Sequence, residues 1–340
     1  MQLCCRPRTA AQKVGGSSVM LAETALNELL ECQSLTGSNT VAEADFICPL
    51  DTSHSAPSIA LLITYFGKLP IWFPVTMRTM AANSTVDFYL FVDTNIDHLL
   101  PVPANIHFVR MTAEDFRKQA SAKLGYHLGQ WDTPMKLCDF RSALGHIFED
   151  LLLEKHFDYW GWCDVDLIFG DIRTFLTPNI LKSHHIVAST KAHPVHGPFT
   201  IMRTGLRYIY KQIPNIQANF MNPKWMALDE GNVRPGENIH DLVKELVEAG
   251  KVLAWHQKIA ATDRLVSRRL PLNTHLQWKG GKLIKFVPGE SPLEIFYYHF
   301  QHSKDMVKQT YTFQLPSASY LTLDPDQGFI QAPYRQPSMP

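Results

Sequence analysis

Apolar residues along this chain alternate between short unbroken runs and longer stretches with helical spacing. Ile59 to Phe66 is a continuous apolar run of strand length, as in a parallel strand covered on both faces. Gly67 interrupts it, and Pro70 suits the first turn of a helix, where a missing N–H costs little. The spacing extends that helix to about Ala82. Val86–Val92 reads as the next strand, ended by Asp93. Strand, helix, strand implies a right-handed crossover and a parallel sheet. Asn105–Met111 predicts a third strand, and Thr112 is placed to cap the helix after it. From Pro134 a longer helix is predicted to about Lys155, apolar at Leu137, Phe140, Leu144, Phe148 and Leu151.

The next stretch, Asp158 to Asp171, is aromatic and β-branched around a short acidic core. It reads as one buried strand. Asp164 and Asp166 lie two apart on it, so both carboxylates share a face. Two carboxylates together at the end of an apolar strand are costly unless a cation or polar ligand satisfies them. A hard divalent cation, Mg²⁺ or Mn²⁺, suits them, above all one shared with substrate phosphates. Asp-x-Asp alone is weak, since chance supplies others. Asp324-Pro-Asp326 is such a decoy, in a Pro-rich tail with no strand predicted around it.

Farther on, 185–189, 198–202 and 296–301 read as short strands, and 204–220 and 238–250 as helices. The alternation predicts α/β, with a mixed, mostly parallel central sheet and flanking helices. One domain is expected over 58–315, between an N-terminal extension, 1–57, in which 18–35 has helical spacing, and a Pro-rich tail, 316–340. Open α/β sheets gather ligands beyond the carboxyl ends of their strands, where Asp93, Asp164 and Asp166 all fall. No Gly-x-Gly-x-x-Gly and no Walker-type loop occurs, which removes the main support for dehydrogenase and P-loop readings.

Lys plus Arg and Asp plus Glu are both 32 in 340 residues. This balance gives no electrostatic reason to expect nucleic acid or an anionic membrane. Six scattered cysteines without a CxxC pair suggest neither a disulfide framework nor a zinc site. Cys138 and Cys163 read as buried free thiols, which favour a reducing compartment. With no membrane-length apolar run and no secretory pattern at the N-terminus, the expectation is a cytoplasmic protein. His193 and His196 flank Pro194 and read as polar surface, and Lys136 as a solvated helix residue.

Four blocks occur in order: Lys136-Leu-Cys-Asp139-Phe-Arg141, Trp162-Cys-Asp164-Val-Asp166 with Gly170-Asp171, Gly197 to Arg203, and Tyr297-Tyr-His299-Phe-Gln301. Together they resemble a family of bacterial polysaccharide-biosynthesis glycosyltransferases (DUF6625-like) over about 59–305. The resemblance implies a GT-A, Rossmann-like fold, a nucleoside-diphosphate-sugar donor, most simply UDP-linked, a carbohydrate acceptor and a divalent metal, Mn²⁺ or Mg²⁺. It makes Asp166 the direct metal ligand, puts Asp164 on the donor ribose and, through water, the metal, and lets His299 complete the coordination. Lys304 would face the diphosphate, although His302-Ser303 departs from the more basic pair expected beside it. Asp139 and Arg141 would hold the donor sugar, Tyr65 and Phe66 the base, and Asp93 the ribose.

The leaving diphosphate needs its developing charge stabilised. An inverting enzyme would also need a carboxylate base, for which Asp229 and Glu230 are the candidates; inversion and retention both stay open. Two alternatives belong to other classes. One is a non-catalytic module binding nucleotide sugar or carbohydrate on the same scaffold. The other is a metal-dependent phosphohydrolase, which calls for more metal ligands than the sequence offers.

Overall fold

The computed structural model describes residues 56–229, 234–262 and 274–300, together with two strands, Tyr320–Asp324 and Gly328–Ala332. The expected helix at 18–35 lies outside them. In chain order the elements open with β1 (Ile59–Tyr65), α1 (Phe73–Ala81), β2 (Asp87–Val92), β3 (Ile106–Arg110) and α2 (Ala113–Leu124). Four short helices follow, α3 (Lys136–Asp139), a 3₁₀ turn at Arg141–Ala143, α4 (Leu144–Ile147) and α5 (Glu149–Glu154). Next come β4 (Tyr159–Cys163), β5 (Leu167–Phe169), α6 (Ile172–Phe175), α7 (Pro178–Ser183), β6 (Ile186–Ala188) and β7 (Phe199–Arg203). Beyond two more 3₁₀ turns lie α8 (Ile216–Met221), α9 (Ile239–Glu248), β8 (Ala254–His256) and β9 (Ala261–Thr262). The last strands are β10 (His275–Lys279), β11 (Lys282–Phe286), β12 (Leu293–Glu294), β13 (Tyr297–His299), β14 (Tyr320–Asp324) and β15 (Gly328–Ala332).

The fold is α/β, mixed and mostly parallel in its central strands, with flanking helices. The described residues form two compact units. One holds the residues up to Ala60, Glu114–Trp162 and Pro178–Gln257. Its strands run in the order β4-β7-β6-β8, with β6 parallel to β8 and antiparallel to β7. The other holds Leu61–Ala113, Cys163–Thr177 and the described residues from Lys258 onward. It carries the order β3-β2-β1 with β2 parallel to β3, a three-stranded β5-β13-β9 and a five-stranded β12-β11-β10-β14-β15.

The apolar runs at β1, β2, β4 and β6 became strands, because each is buried from end to end or nearly so. The helices depart further from expectation. The first helix starts three residues beyond Pro70, and Pro74 occupies its first turn instead. The predicted 135–155 helix is broken into pieces, and Leu152 rather than Leu151 is the buried leucine of its last turn. Packing explains the breaks: Gly145 lies so close to the Trp160 indole that a Cβ there would meet Cε2 at 2.3 Å. Phe140 stacks on Phe220 with centroids 4.7 Å apart and meets Phe116 edge-on. The predicted 204–220 helix is likewise two 3₁₀ turns and α8, with Pro214 between them and Asn215 at φ +56°.

Several antiparallel pairings among the described residues were not foreseen. Lys279-Gly-Gly-Lys282 closes the β10–β11 hairpin, with Gly280 and Gly281 at φ +56° and +85°. That is the left-handed pair a two-residue hairpin turn requires, and Gly-Gly between alternating segments was the signal for it. Asp324 also corrects the expectation of a strandless tail: it ends β14, which pairs with β10 and with β15. Tyr-Leu-Thr-Leu and Gly-Phe-Ile-Gln alternate too briefly to stand out beside the prolines.

A buried polar network crosses the first unit. His146 Nδ1 lies 2.7 Å from the Tyr210 hydroxyl, and Glu149 receives Lys123 (3.1 Å), Arg207 (3.3 Å) and the Tyr208 hydroxyl. Burial first, then the positive charge of Lys211, holds the His146 imidazole down at about 4; Glu149 opposes the shift, and Lys123 and Arg207 add to it. The unfolded chain therefore binds a proton that the folded chain refuses between pH ~6.5 and about 4. Stability should fall as pH drops through that window and level off below it. His146→Gln, which cannot take the proton, should flatten the slope of melting temperature against pH there. Gly161 leaves no room for a side chain, since a Cβ would sit 2.1 Å from the Thr200 carbonyl oxygen. Because backbone cannot step aside, Gly161→Ala should cost at least ~2 kcal/mol in denaturant unfolding.

Candidate metal centre

The acidic stretch is not one strand. β4 ends at Cys163, the chain bends through Asp164–Asp166, and β5 resumes at Leu167. The two carboxylates therefore do not owe their proximity to strand alternation. A third group comes from far along the chain. β13 runs antiparallel to β5 with His299 opposite Leu167, one residue beyond Asp166. The amide of Phe300 donates to the Asp166 carbonyl oxygen at 3.2 Å, extending that ladder. His299 Nε2 lies 3.3 Å from Asp166 Oδ1 and 3.7 Å from Asp164 Oδ2. One ligand atom from each of Asp164, Asp166 and His299 falls within 4.8 Å of the others.

The donor set fits a divalent cation. Adjacent ligands in an octahedron with bonds of ~2.1 Å lie about 3 Å apart, close to the two imidazole–carboxylate separations. Two carboxylate oxygens and one imidazole nitrogen suit Mn²⁺ better than Mg²⁺, since the nitrogen is the softer ligand. Asp166 and His299 are each 6% exposed, so their charges are held in little water. Among the described residues no other group of His, Cys, Asp and Glu has this geometry.

β5 is fixed by side chains from within its own unit. The Phe169 amide donates to Thr79 Oγ1 (3.1 Å), and the Trp278 indole N–H donates to the Phe169 carbonyl (2.8 Å). Asn83 Nδ2 donates to the Gly170 carbonyl, and Asn83 Oδ1 accepts from the Ile172 amide. Thr79, Asn83 and Trp278 were missed in the sequence. The only trace of the first two is polar residues within and just beyond a mostly buried helix, Thr79 in α1 and Asn83 two residues after its end. Gly170 must stay small, as a Cβ would meet the Ile295 carbonyl oxygen at 2.5 Å.

Tyr65 ends β1 and Phe66 follows it, both half-buried. Asp93 follows β2, and its Oδ1 accepts from the Gly67 amide at 2.6 Å. It thereby ties the turn after β1 to the turn after β2. Lys304 and Glu230 lie outside the described residues.

Three more candidates gather in the other unit. Asp139 is buried; its carboxylate accepts from Lys136 Nζ (2.9 Å) and from the amides of Met226 (2.8 Å) and Leu228 (3.0 Å). Lys136 was expected to be solvated but is 0% exposed, and it also donates to the Asn219 carbonyl. A buried ammonium keeps its place only with such partners. Arg141 turns elsewhere, its Nη1 2.6 Å from Asp229 Oδ2 and 3.1 Å from the Gly197 carbonyl oxygen. The Trp162 indole N–H donates to that same carbonyl at 3.0 Å. His193 and His196 are half-buried rather than plain surface. His193 packs edge-on against His240, and His196 Nδ1 lies 3.0 Å from Ser189 Oγ. Both described cysteines are free thiols, Cys163 buried and Cys138 partly exposed on the short α3.

A family model matches residues 61–326. The chain belongs to a family of unknown function, DUF6625. The match takes in all four blocks and the candidate metal centre of this DUF6625 member. No curated protein matches the chain. Among solved structures it is similar to galactosyltransferase LgtC in complex with donor and acceptor sugar analogs, at 11% identity, 75% of this chain, 92% of that one and a TM-score of 0.36. It is also similar to mouse xyloside xylosyltransferase 1, apo form, at 9% identity, 73% of this chain, 98% of that one and a TM-score of 0.39. Likenesses of this size say nothing about the activity of the DUF6625 chain. No helix among its described residues is long and apolar enough to cross a membrane.

If the cluster binds a cation, Asp166→Ala should weaken Mn²⁺ binding, read by electron paramagnetic resonance of free Mn²⁺, by at least ~10-fold. His299→Ala should do the same, whereas Asp324→Ala should leave binding unchanged.

Proposed function

We propose that the protein is a GT-A glycosyltransferase, using Mn²⁺ or Mg²⁺ to transfer a sugar from a nucleoside diphosphate, most simply UDP, to a carbohydrate hydroxyl. The observation that carries this reading is the convergence of Asp164 and Asp166, from the bend before β5, with His299, from β13 far along the chain. The order of the four sequence blocks supports it.

In this reading Asp166 and His299 hold the cation, and Asp164 completes the set while reaching toward the ribose. A cation there supplies the positive charge that an outgoing diphosphate requires. Asp93 keeps the turns after β1 and β2 in register through the Gly67 amide, and Tyr65 and Phe66 offer flat apolar surface for a base. Lys304 adds charge toward the diphosphate. Arg141 and Asp229 form a preorganised charged pair suited to sugar hydroxyls. The proton of the acceptor hydroxyl falls to Asp229 or Glu230.

Hydrolysis of a panel of UDP-sugars tests the proposal, because water replaces the acceptor and no acceptor need be known. Turnover is expected with Mn²⁺ and should disappear with EDTA. Asp166→Ala should lower it by ~10²-fold or more, as for loss of a principal electrostatic contact to the transition state. Metal-independent turnover, or a fully active Asp166→Ala, would refute the metal role. Tight UDP binding without turnover of any donor would instead favour a nucleotide-sugar-binding module.

A further inference from the structure

The turn that delivers Asp229 is fixed in place from several sides. Asp139 accepts from the amides of Met226 and Leu228, on either side of Ala227. The Ile239 amide donates to the Leu228 carbonyl at 3.1 Å, and His240 Nε2 lies 2.6 Å from the Asp229 carbonyl oxygen. Arg141 takes the Asp229 carboxylate itself. At the centre, Ala227 is 2% exposed and has φ +53°. A residue with a Cβ rarely adopts this left-handed conformation, and it persists only where the surroundings over-determine it. Asp139 supplies that restraint most directly, because its carboxylate bridges the two amides flanking the strained residue. Lys136 Nζ lies 2.9 Å from the same carboxylate, with both side chains fully buried, so the turn is held by a paired charge.

We propose that Asp139, neutralised by Lys136, is a positioning residue: it holds the left-handed turn at Ala227 so that Asp229 is presented to Arg141 in one orientation. The role differs from donor-sugar binding, since both Asp139 oxygens face the protein's own Lys136 and backbone amides. It rests on the reading of Asp229 as the base for the acceptor hydroxyl.

Hydrogen exchange and kinetics test it together. In Asp139→Asn, exchange at the Met226 and Leu228 amides should quicken at least ~10-fold, because an amide side chain offers one acceptor atom in place of two. With the UDP-sugar that the native protein hydrolyses fastest with Mn²⁺, Asp139→Asn should lower kcat about 10-fold and leave the donor KM within about twofold, as for a group acting only on the transition state. Combined with Asp229→Asn it should cost nothing further, since both changes then act through one group. Adding Ala227→Gly to Asp139→Asn should restore part of the loss, because glycine takes the left-handed conformation unaided. If Asp139→Asn leaves the Lys136 charge unpaired and fails to fold, Lys136→Met with Asp139→Asn removes that charge and serves instead. Unchanged exchange at the two amides would overturn the proposal, as would a loss that multiplies with Asp229→Asn. A fully active Asp229→Asn alongside faster exchange in Asp139→Asn would overturn only the base reading, leaving the restraint on the turn established.

Discussion

The chemistry proposed here depends on one backbone ladder, the antiparallel pairing of Leu167–Phe169 with Tyr297–His299. Asp164 and Asp166 come from a bend that follows a buried strand. By themselves they are two acids at a sheet's end, and like charges there repel. The pairing sets His299 beside them, and the Phe300 amide fixes the depth at which it arrives. A slip of one residue would turn the imidazole to the opposite face. Register in this short ladder therefore decides whether a three-ligand site exists.

So short a ladder needs help, and the same unit provides it. Hydrogen bonds from Thr79, Asn83 and Trp278 hold Phe169 and the residues just after it. These are neutral polar contacts made where water is scarce, and there the cost of leaving a partner unpaired is largest. Phe88 and Tyr297 pack against the Phe169 ring and close the apolar side. Polar contacts thus fix the strand's position while aromatic packing keeps it dry.

The other unit solves a similar problem differently. Its less exposed charged groups meet opposite charges: Lys136 with Asp139, Arg141 with Asp229, and Glu149 with both Lys123 and Arg207. Buried pairs add little net stability compared with apolar packing, but removing one partner leaves an uncompensated charge. Such pairs suit the specification of one local geometry. The constrained turn at Ala227 is where that specification shows in the backbone. Asp139 and Arg141, two residues apart, separate here: one serves the protein's own backbone, the other the carboxylate of Asp229.

By itself the sequence determined β1 to β4, β6, β7 and β13, since an apolar run bounded by Gly, Pro or Asp carries its burial with it. It also singled out Asp164 and Asp166, through context rather than through the motif. His299, Asp139 and Arg141 could be named only by resemblance, and Asp229 only as a carboxylate that an inverting reaction would need, because nothing local distinguishes a ligand histidine from a packed one. Tertiary structure alone decided the rest. It broke the helix at 136–154, where aromatic packing outweighed spacing, and set Asn215 left-handed after Pro214 in the 204–221 stretch. It placed Lys136 inside and made Asp139 a backbone anchor, because a side chain's charge does not say which partner it will meet. It brought position 299 to position 166, a contact across more than a hundred residues that only strand register could fix.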